Sequence, residues 1–284
     1  MPRLQLAHRH KALLLGLGAV ALLVIGGGAA AVMLLSGAYN TAATKQHFRI
    51  TYRILETGLR YSVKAYADEI EVPDLERVAD IELGQACYRR YCVQCHGAPG
   101  VARDPLGQGQ LPSPSNLAQS GREWPAAHLY YVVRKGVRMS GMPAWEFRMS
   151  EHGLWSTVAF LQKLPLMTPA AYRQMSSIKD ESECPQPITS LPYSQERAQT
   201  LLRQYACDAC HRIDALVGPH THVGPALHDW RGRKLIAGRL PNTPENLVHW
   251  ILDPQAVSPE TLMPNVQATP AHARDMARYL FEAR

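Results

Sequence analysis

One pattern restricts this chain more than any other: Cys-x-x-Cys-His occurs twice, as Cys92-Val93-Gln94-Cys95-His96 and as Cys207-Asp208-Ala209-Cys210-His211. A fold that carries it must hold two thiols on one face, about a helical turn apart, with an imidazole directly beyond them. That spacing is the attachment signal for c-type haem. Each thiol forms a thioether to one vinyl group, and the histidine comes under the iron as its proximal ligand. Three other readings compete. A zinc site made of Cys92, Cys95, Cys207 and Cys210 would draw on pairs 115 residues apart, far wider than a compact zinc module. A thioredoxin-type site needs a strand before the motif and a βαβ setting, and no strand pattern precedes either copy. Coincidence explains one copy far better than two.

A sixth ligand is sought by the same chemistry. A methionine thioether opposite histidine raises the potential of a haem and closes the iron to small ligands, which suits electron transfer. Met142 precedes Pro143, and Met263 precedes Pro264. Proline fixes an extended loop that keeps such a ligand still. Met139 rivals Met142 but lacks the proline, and Met167, Met175 and Met276 read as core filler. His220 and His222 follow His211 too closely to reach the far side of a haem and read as loop residues. His128, His152, His228, His249 and His272 read as ordinary surface or partly buried histidines.

Around each motif the same order of features recurs: a helix, Cys-x-x-Cys-His, a Gly/Pro-containing loop, a helix, Met-Pro, and a final apolar helix. The first copy runs through Ile81–Tyr91, Ala126–Lys135 and Glu151–Leu161, the second through Gln195–Tyr205, Pro244–Leu252 and Pro270–Phe281. Strand signals are nearly absent, so the expected class is all-α. Prolines from Pro165 to Pro192 interrupt any helical period and mark a linker.

Before the first copy, Ala12–Leu35 has no charged, Asn or Gln residue, and as a helix it would be about 36 Å long, enough to cross a bilayer. Arg3, Arg9 and Lys11 flank it, so the positive-inside rule keeps the amino terminus cytoplasmic and exports the rest. A cleaved signal peptide is the rival, with Ala29 and Ala31 as an A-x-A site, although Val32–Leu35 extend the apolar run beyond it. Phe48, Tyr52, Leu55, Leu59 and Val63 then form one stripe of an amphipathic helix over Gln46–Ile70, suited to packing on the first domain or on a partner. The expected division is thus 1–39 amino terminus and transmembrane anchor, 40–78 amphipathic connecting helix, 79–165 first domain, 166–193 proline-rich linker and 194–284 second domain. The net charge is +6, of which the three flanking residues supply half. The remainder is too small for a nucleic-acid binder. Cys87, on the entry helix, and Cys184, in the linker, read first as free cysteines, the former a small buried apolar residue, with a Cys87–Cys184 disulfide as the alternative that export permits.

Both halves resemble class I cytochrome c domains. In the second, Gly224-Pro225-Ala226-Leu227-His228, Gly232-Arg233-Lys234, Leu247 to Pro254 and Met276-Ala277-Arg278-Tyr279-Leu280 are similar to mitochondrial-type cytochromes. In the first, the resemblance rests on Cys92–His96, Gly97-Ala98-Pro99-Gly100, Gly141 to Trp145 and the apolar helix near Trp155. The resemblance implies two tandem class I domains with two covalently attached haem c groups. It further implies that the Pro225 carbonyl accepts a hydrogen bond from His211, that Arg233 pairs with a propionate, and that Tyr279 packs where the first and last helices cross. The first half shows no comparable counterpart of Arg233. As a whole, the chain is similar to membrane-bound dihaem cytochromes that deliver electrons to terminal oxidases, including the dihaem subunit of cbb3-type oxidases, but with one span rather than a pair. The implied role is electron transfer in the periplasm, from a single-pass anchor in a bacterial inner membrane. A respiratory complex such as a haem-copper oxidase, or another periplasmic redox protein, would be the partner. A dihaem peroxidase or thiosulfate-oxidising cytochrome is the enzyme alternative, distinguished by an iron with an open or reactive position.

Overall fold

An uninterrupted apolar run offers the backbone no competing polar groups, and in this chain it forms one long helix, α1 (Pro2–Leu35). Its stretch Leu13–Leu35 is long and apolar enough to span a membrane, and none of it is buried in the protein. The computed structural model describes all residues except 1, 77, 186–191, 219, 220, 222 and 284, and only the backbone of 2–12, 78, 79 and 181. His220 and His222 therefore lie outside the described residues.

The chain divides into two compact units, Met1–Leu55 and Glu56–Arg284. In the first, the turn after α1 is tied by Tyr39, whose hydroxyl lies 2.6 Å from His47 Nδ1 while the two rings stack. The amphipathic helix α2 (Arg49–Ala67) starts here and runs into the second unit. Its expected stripe is covered only at the far end. Val63 and Ala67 are buried, Tyr66 stacks on Tyr131, and Asp68 just beyond the helix meets His128 Nε2 at 2.8 Å, whereas Tyr52 and Leu55 stay exposed.

The second unit has two hydrophobic clusters. Around the first lie α3 (Val78–Tyr91), α4 (Val93–His96), α5 (Pro105–Gln108), α6 (Leu117–Glu123), α7 (Ala126–Lys135), α8 (Glu151–Lys163) and α9 (Pro169–Ser176). Side-chain oxygens of Asn116, Ser150 and Thr168 accept from the first turns of α6, α8 and α9, which explains why those helices begin there. The central contact is the crossing of α3 and α8. A Cβ on Gly84 would fall 1.8 Å from the Ser156 carbonyl oxygen and 2.9 Å from Phe160 Cβ, so only glycine lets the two backbones meet. Tyr88 and Phe160 pack beside it with ring centroids 5.1 Å apart.

The stretch expected as a linker departs from that reading. Thr168 and Pro169 start α9, Tyr172 is buried in the first cluster, and Gln85 Nε2 donates to the Tyr172 carbonyl at 2.8 Å. Proline at the first helical position initiates this helix rather than excluding one. Cys87 and Cys184 are joined in a disulfide that closes a loop of sequence separation 97. A closure of that length is worth about 4.7 kcal/mol in the chain-entropy model. It binds the segment after α9 back onto α3.

The second cluster is built by α10 (Gln195–Gln204), α11 (Pro244–Leu252), α12 (Pro254–Val257) and α13 (Pro270–Glu282). Ser194, Thr243, Asp253 and Thr269 cap them. Leu201, Leu202, Leu247 and Met276 fill the interior. Tyr279 is buried on α13, and its hydroxyl accepts from Gln199 Nε2 of α10 at 3.1 Å. A short antiparallel pair departs from the all-helical expectation: β1 (Leu235–Ile236) and β2 (Leu240–Pro241), turned by Ala237 and Gly238 at positive φ.

The two clusters meet. Ala144 and Phe147, from the segment before α8, are buried in the second cluster, where Phe147 sets its ring edge toward His272. His272 is 1% exposed, more deeply placed than its sequence context indicates, and its Nδ1 lies 2.8 Å from the Tyr205 hydroxyl.

Gly84→Ala should destabilise the protein by about 3 kcal/mol, the upper part of the overpacking range, because the clash is with backbone; denaturant titration at neutral pH measures it. Burial, with the Arg197 charge as the next cause, lowers His272 from 6.5 to about 4. Between those values the unfolded chain binds a proton that the folded chain does not, so stability is lost as pH falls through this window, by on the order of 3 kcal/mol. A His272→Gln variant should show a flatter acid limb than the parent in denaturation at pH values spanning the window.

Candidate functional site

Helix α3 ends at Tyr91, and Cys92 makes the turn that leads into α4, with hydrogen bonds on both sides of it: Cys92 N bonds the Tyr88 carbonyl at 2.9 Å, and His96 N bonds the Cys92 carbonyl at 2.9 Å. Cys92, Cys95 and His96 therefore occupy one turn. Gly97 follows at φ 67, and its carbonyl accepts from the Tyr88 hydroxyl. Gly107 lies so close that a Cβ there would be 2.7 Å from Cys95 Cα. His96 Nδ1 is 2.9 Å from the Ser115 carbonyl oxygen. A carbonyl only accepts, so Nδ1 carries the proton and Nε2 keeps its lone pair. Burial pulls His96 below the usual histidine range, which also favours the neutral ring. Arg103 holds the accepting loop through Ser113 Oγ at 2.8 Å and the Pro114 carbonyl at 2.6 Å.

The second motif is reached differently. Helix α10 ends at Gln204, Ala206 turns left-handed at φ 55, and Cys207–Ala209 make a tighter 3-10 turn. His211 N still bonds the Cys207 carbonyl, at 2.8 Å. His211 Nδ1 is 2.7 Å from the Pro225 carbonyl oxygen, so this ring too is left with a free Nε2. Gly224 is required beside it, because a Cβ there would come within 2.4 Å of His211 Cε1.

The methionine segments are tight turns. Val137 N bonds the Met142 carbonyl at 3.1 Å, and Ser140 Oγ bridges back to the Val137 carbonyl at 2.7 Å. Gly136 permits this at φ 67, where a Cβ would collide with the Met142 and Pro143 backbone. Met142 packs on the cluster that contains Cys92, while Met139 is 94% exposed. Met263 packs with Cys207 on the second cluster; its N bonds Thr261 Oγ1 at 3.2 Å, and its carbonyl accepts from Gln255 Nε2 at 2.6 Å.

The donor set discriminates among the competing readings. Cys92, Cys95, Cys207 and Cys210 are unpaired, whereas Cys87 and Cys184 are bonded to each other. Burial pushes the Cys92 and Cys207 thiols up to about 12. A nucleophilic Cys-x-x-Cys needs the opposite shift. Among the described residues, no three His, Cys, Asp or Glu side chains gather as a metal cluster. In the second half two buried polar atoms have no protein partner, Trp230 Nε1 and Asn242 Oδ1. Arg233 stacks 4.5 Å over Trp230 and donates to the Ala226 carbonyl, and Asn242 Nδ2 bonds the Trp230 and Arg233 carbonyls at 2.8 and 3.0 Å. An unsatisfied indole N–H beside a guanidinium fits a porphyrin propionate.

Residues 79–161 match the model of the family described as cytochrome c oxidase, cbb3-type, subunit III. The chain carries a c-type cytochrome domain. Such a domain implies covalently bound haem c. The match falls on the half that resembled cytochrome c less closely in its quoted residues. The chain is also 35% identical over 68 residues, 24% of its length, to a cytochrome c oxidase subunit 2 of Alkalihalophilus pseudofirmus (strain ATCC BAA-2126 / JCM 17055 / OF4). It spans only 19% of that relative. No solved structure matches the chain. The two likenesses support an electron-transfer role related to cytochrome oxidases.

Ser115, Arg103, Trp230 and Asn242 escaped the sequence reading. The only signal for the first two is the Pro112-Ser113-Pro114-Ser115 stretch, and for the others the nearness of Trp230 to Arg233. Gly224→Ala should displace the His211 ring from the Pro225 carbonyl and lower the haem-to-protein ratio below that of the parent; pyridine haemochrome assay against protein mass reads this directly.

Proposed function

We propose that this chain is a membrane-tethered dihaem cytochrome c: two tandem class I domains, at 79–165 and 194–284, carried on a single-pass anchor with the domains in the periplasm. The observation that carries the reading is the recurrence in both halves of one local device. In each, a Cys-x-x-Cys-His turn holds a histidine whose Nδ1 is taken by a backbone carbonyl, and in each a Met-Pro turn packs on the same cluster as the first cysteine. When bound, haem c supplies the one-electron change between ferric and ferrous iron.

The chain's own residues do the rest. Cys92, Cys95, Cys207 and Cys210 are the thioether positions, and His96 and His211 present Nε2 as proximal ligands. Ser115 and Pro225 fix the ring orientation through Nδ1. Met142 and Met263 are the sixth ligands, and Arg233 with Trp230 receives a propionate. The exposure of Met139 supports Met142 at the first site. The disulfide suits an oxidising compartment. A quinol-oxidising complex or periplasmic dehydrogenase would supply one electron at a time, and a haem-copper oxidase would accept it, with no substrate bond made or broken.

Maturation in a host with cytochrome c assembly, followed by intact mass measurement and redox spectroscopy, tests the proposal. A mass increase of two haems with a reduced-minus-oxidised spectrum of haem c is expected. An increase of one haem overturns the dihaem reading, and no increase overturns the assignment.

A further inference from the structure

The segment Met142–Arg148 belongs to the first half by sequence, yet its far end is built into the second. Near Met142 it is held by the first half: Val137 N bonds the Met142 carbonyl, the Trp145 ring packs on Tyr91 with centroids 4.9 Å apart, and Glu146 takes ion pairs from Arg134 at 2.9 Å and Lys135 at 3.0 Å. Ala144, Phe147 and Arg148, interleaved with these, turn to the other half. Ala144 and Phe147 are buried among side chains of the second cluster, Phe147 facing His272. Arg148 Nη2 donates to the Gln204 carbonyl at 2.8 Å, and its guanidinium lies 5.3 Å over the Tyr205 ring. Tyr91 and Tyr205 stand just before the two motifs, one residue ahead of Cys92 and two ahead of Cys207. One short segment thus spans from the first methionine turn to the root of the second motif.

We propose that the second half braces the Met142 turn through Phe147 and Arg148, so that methionine ligation at the first haem and docking of the two halves form one coupled equilibrium. This rests on the reading of Met142 as a sixth ligand. Phe147 and Arg148 are positioning residues: their contacts are with the second half, and both act through the backbone that carries the Met142 sulfur. Arg148 serves as a planar fork, donating to a carbonyl while stacking on a ring, which a lysine does not reproduce. Coupling of this kind is reciprocal. Whatever separates the halves loosens Met142, and whatever displaces Met142 from the iron weakens the docking of the halves. A redox partner that binds across the junction would thereby tune the first haem and leave the second as it is.

The test uses the full-length, haem-loaded protein in mild detergent. Imidazole competes with methionine for ferric iron, so its affinity at each haem reports how firmly the sulfur is held, and the sulfur-to-iron charge-transfer band reports ligation itself. Met142→Ala identifies which signals belong to the first haem. Phe147→Ala with Arg148→Ala should raise imidazole affinity at the first haem at least tenfold and lower its potential, with the second haem within twofold of the parent. Phe147→Leu, which keeps an apolar plug, should retain most of the parent behaviour that Phe147→Ala loses. Should the double variant fail to load haem, His272→Ala, which removes the seat of Phe147 from the other side, carries the same expectation. Imidazole affinity and potential at the first haem within twofold of the parent, in whichever of these variants loads haem, overturn the brace. If Met142→Ala alters neither haem, the ligand assignment itself fails, an outcome distinct from failure of the brace.

Discussion

The close crossing of α3 and α8 is the contact on which the first half depends. Gly84 lets one helix backbone reach the Ser156 carbonyl of the other, and this approach sets where α3 ends and therefore where Cys92 begins. A motif that must present two sulfurs and an imbedded histidine within one turn tolerates little play in the helix that delivers it. The disulfide from Cys87 acts on the same helix, one turn before the motif. Tyr88, on the next residue, bonds the Gly97 carbonyl beyond the histidine. Three restraints of different chemistry thus converge on five residues.

The second half reaches the same local arrangement by another route. Its helices α10 and α13 approach through Ala198, Met276 and Tyr279 rather than through a glycine. Its motif follows a left-handed residue and opens on a 3-10 turn, where the first motif folds into the short helix α4. Yet both histidines donate Nδ1 to a backbone carbonyl. The agreement lies in the hydrogen bond that orients each imidazole, and the disagreement in the backbone that leads to it. A carbonyl acceptor asks only for a nearby loop with a free lone pair, which Pro225 offers 14 residues after His211 and Ser115 offers 19 residues after His96.

The junction between the halves gives the proposed electron carrier a mechanical property. Two redox sites on independent beads would hold their ligands independently. Here Phe147 is core to a cluster it does not belong to in sequence, so the segment that follows the Met142 turn of one half is anchored in the other.

Much of the molecule is legible in the residue order because its chemistry is local. Thiol and imidazole spacing within five residues acts over a single turn, and an apolar run longer than a bilayer is thick is contiguous in the chain. The prolines from Pro165 to Pro192 argue for an open linker, while Tyr172 and Cys184 within that stretch are held by α3, nearly a hundred residues earlier. By itself, then, the residue order determined the two Cys-x-x-Cys-His motifs, the apolar helix and the candidate methionines. Tertiary structure alone decided which carbonyl orients His96, that Met139 points to solvent, and that Phe147 belongs to the second core. Those outcomes depend on pairs far apart in the chain, whose meeting is set by how closely two helix backbones can approach.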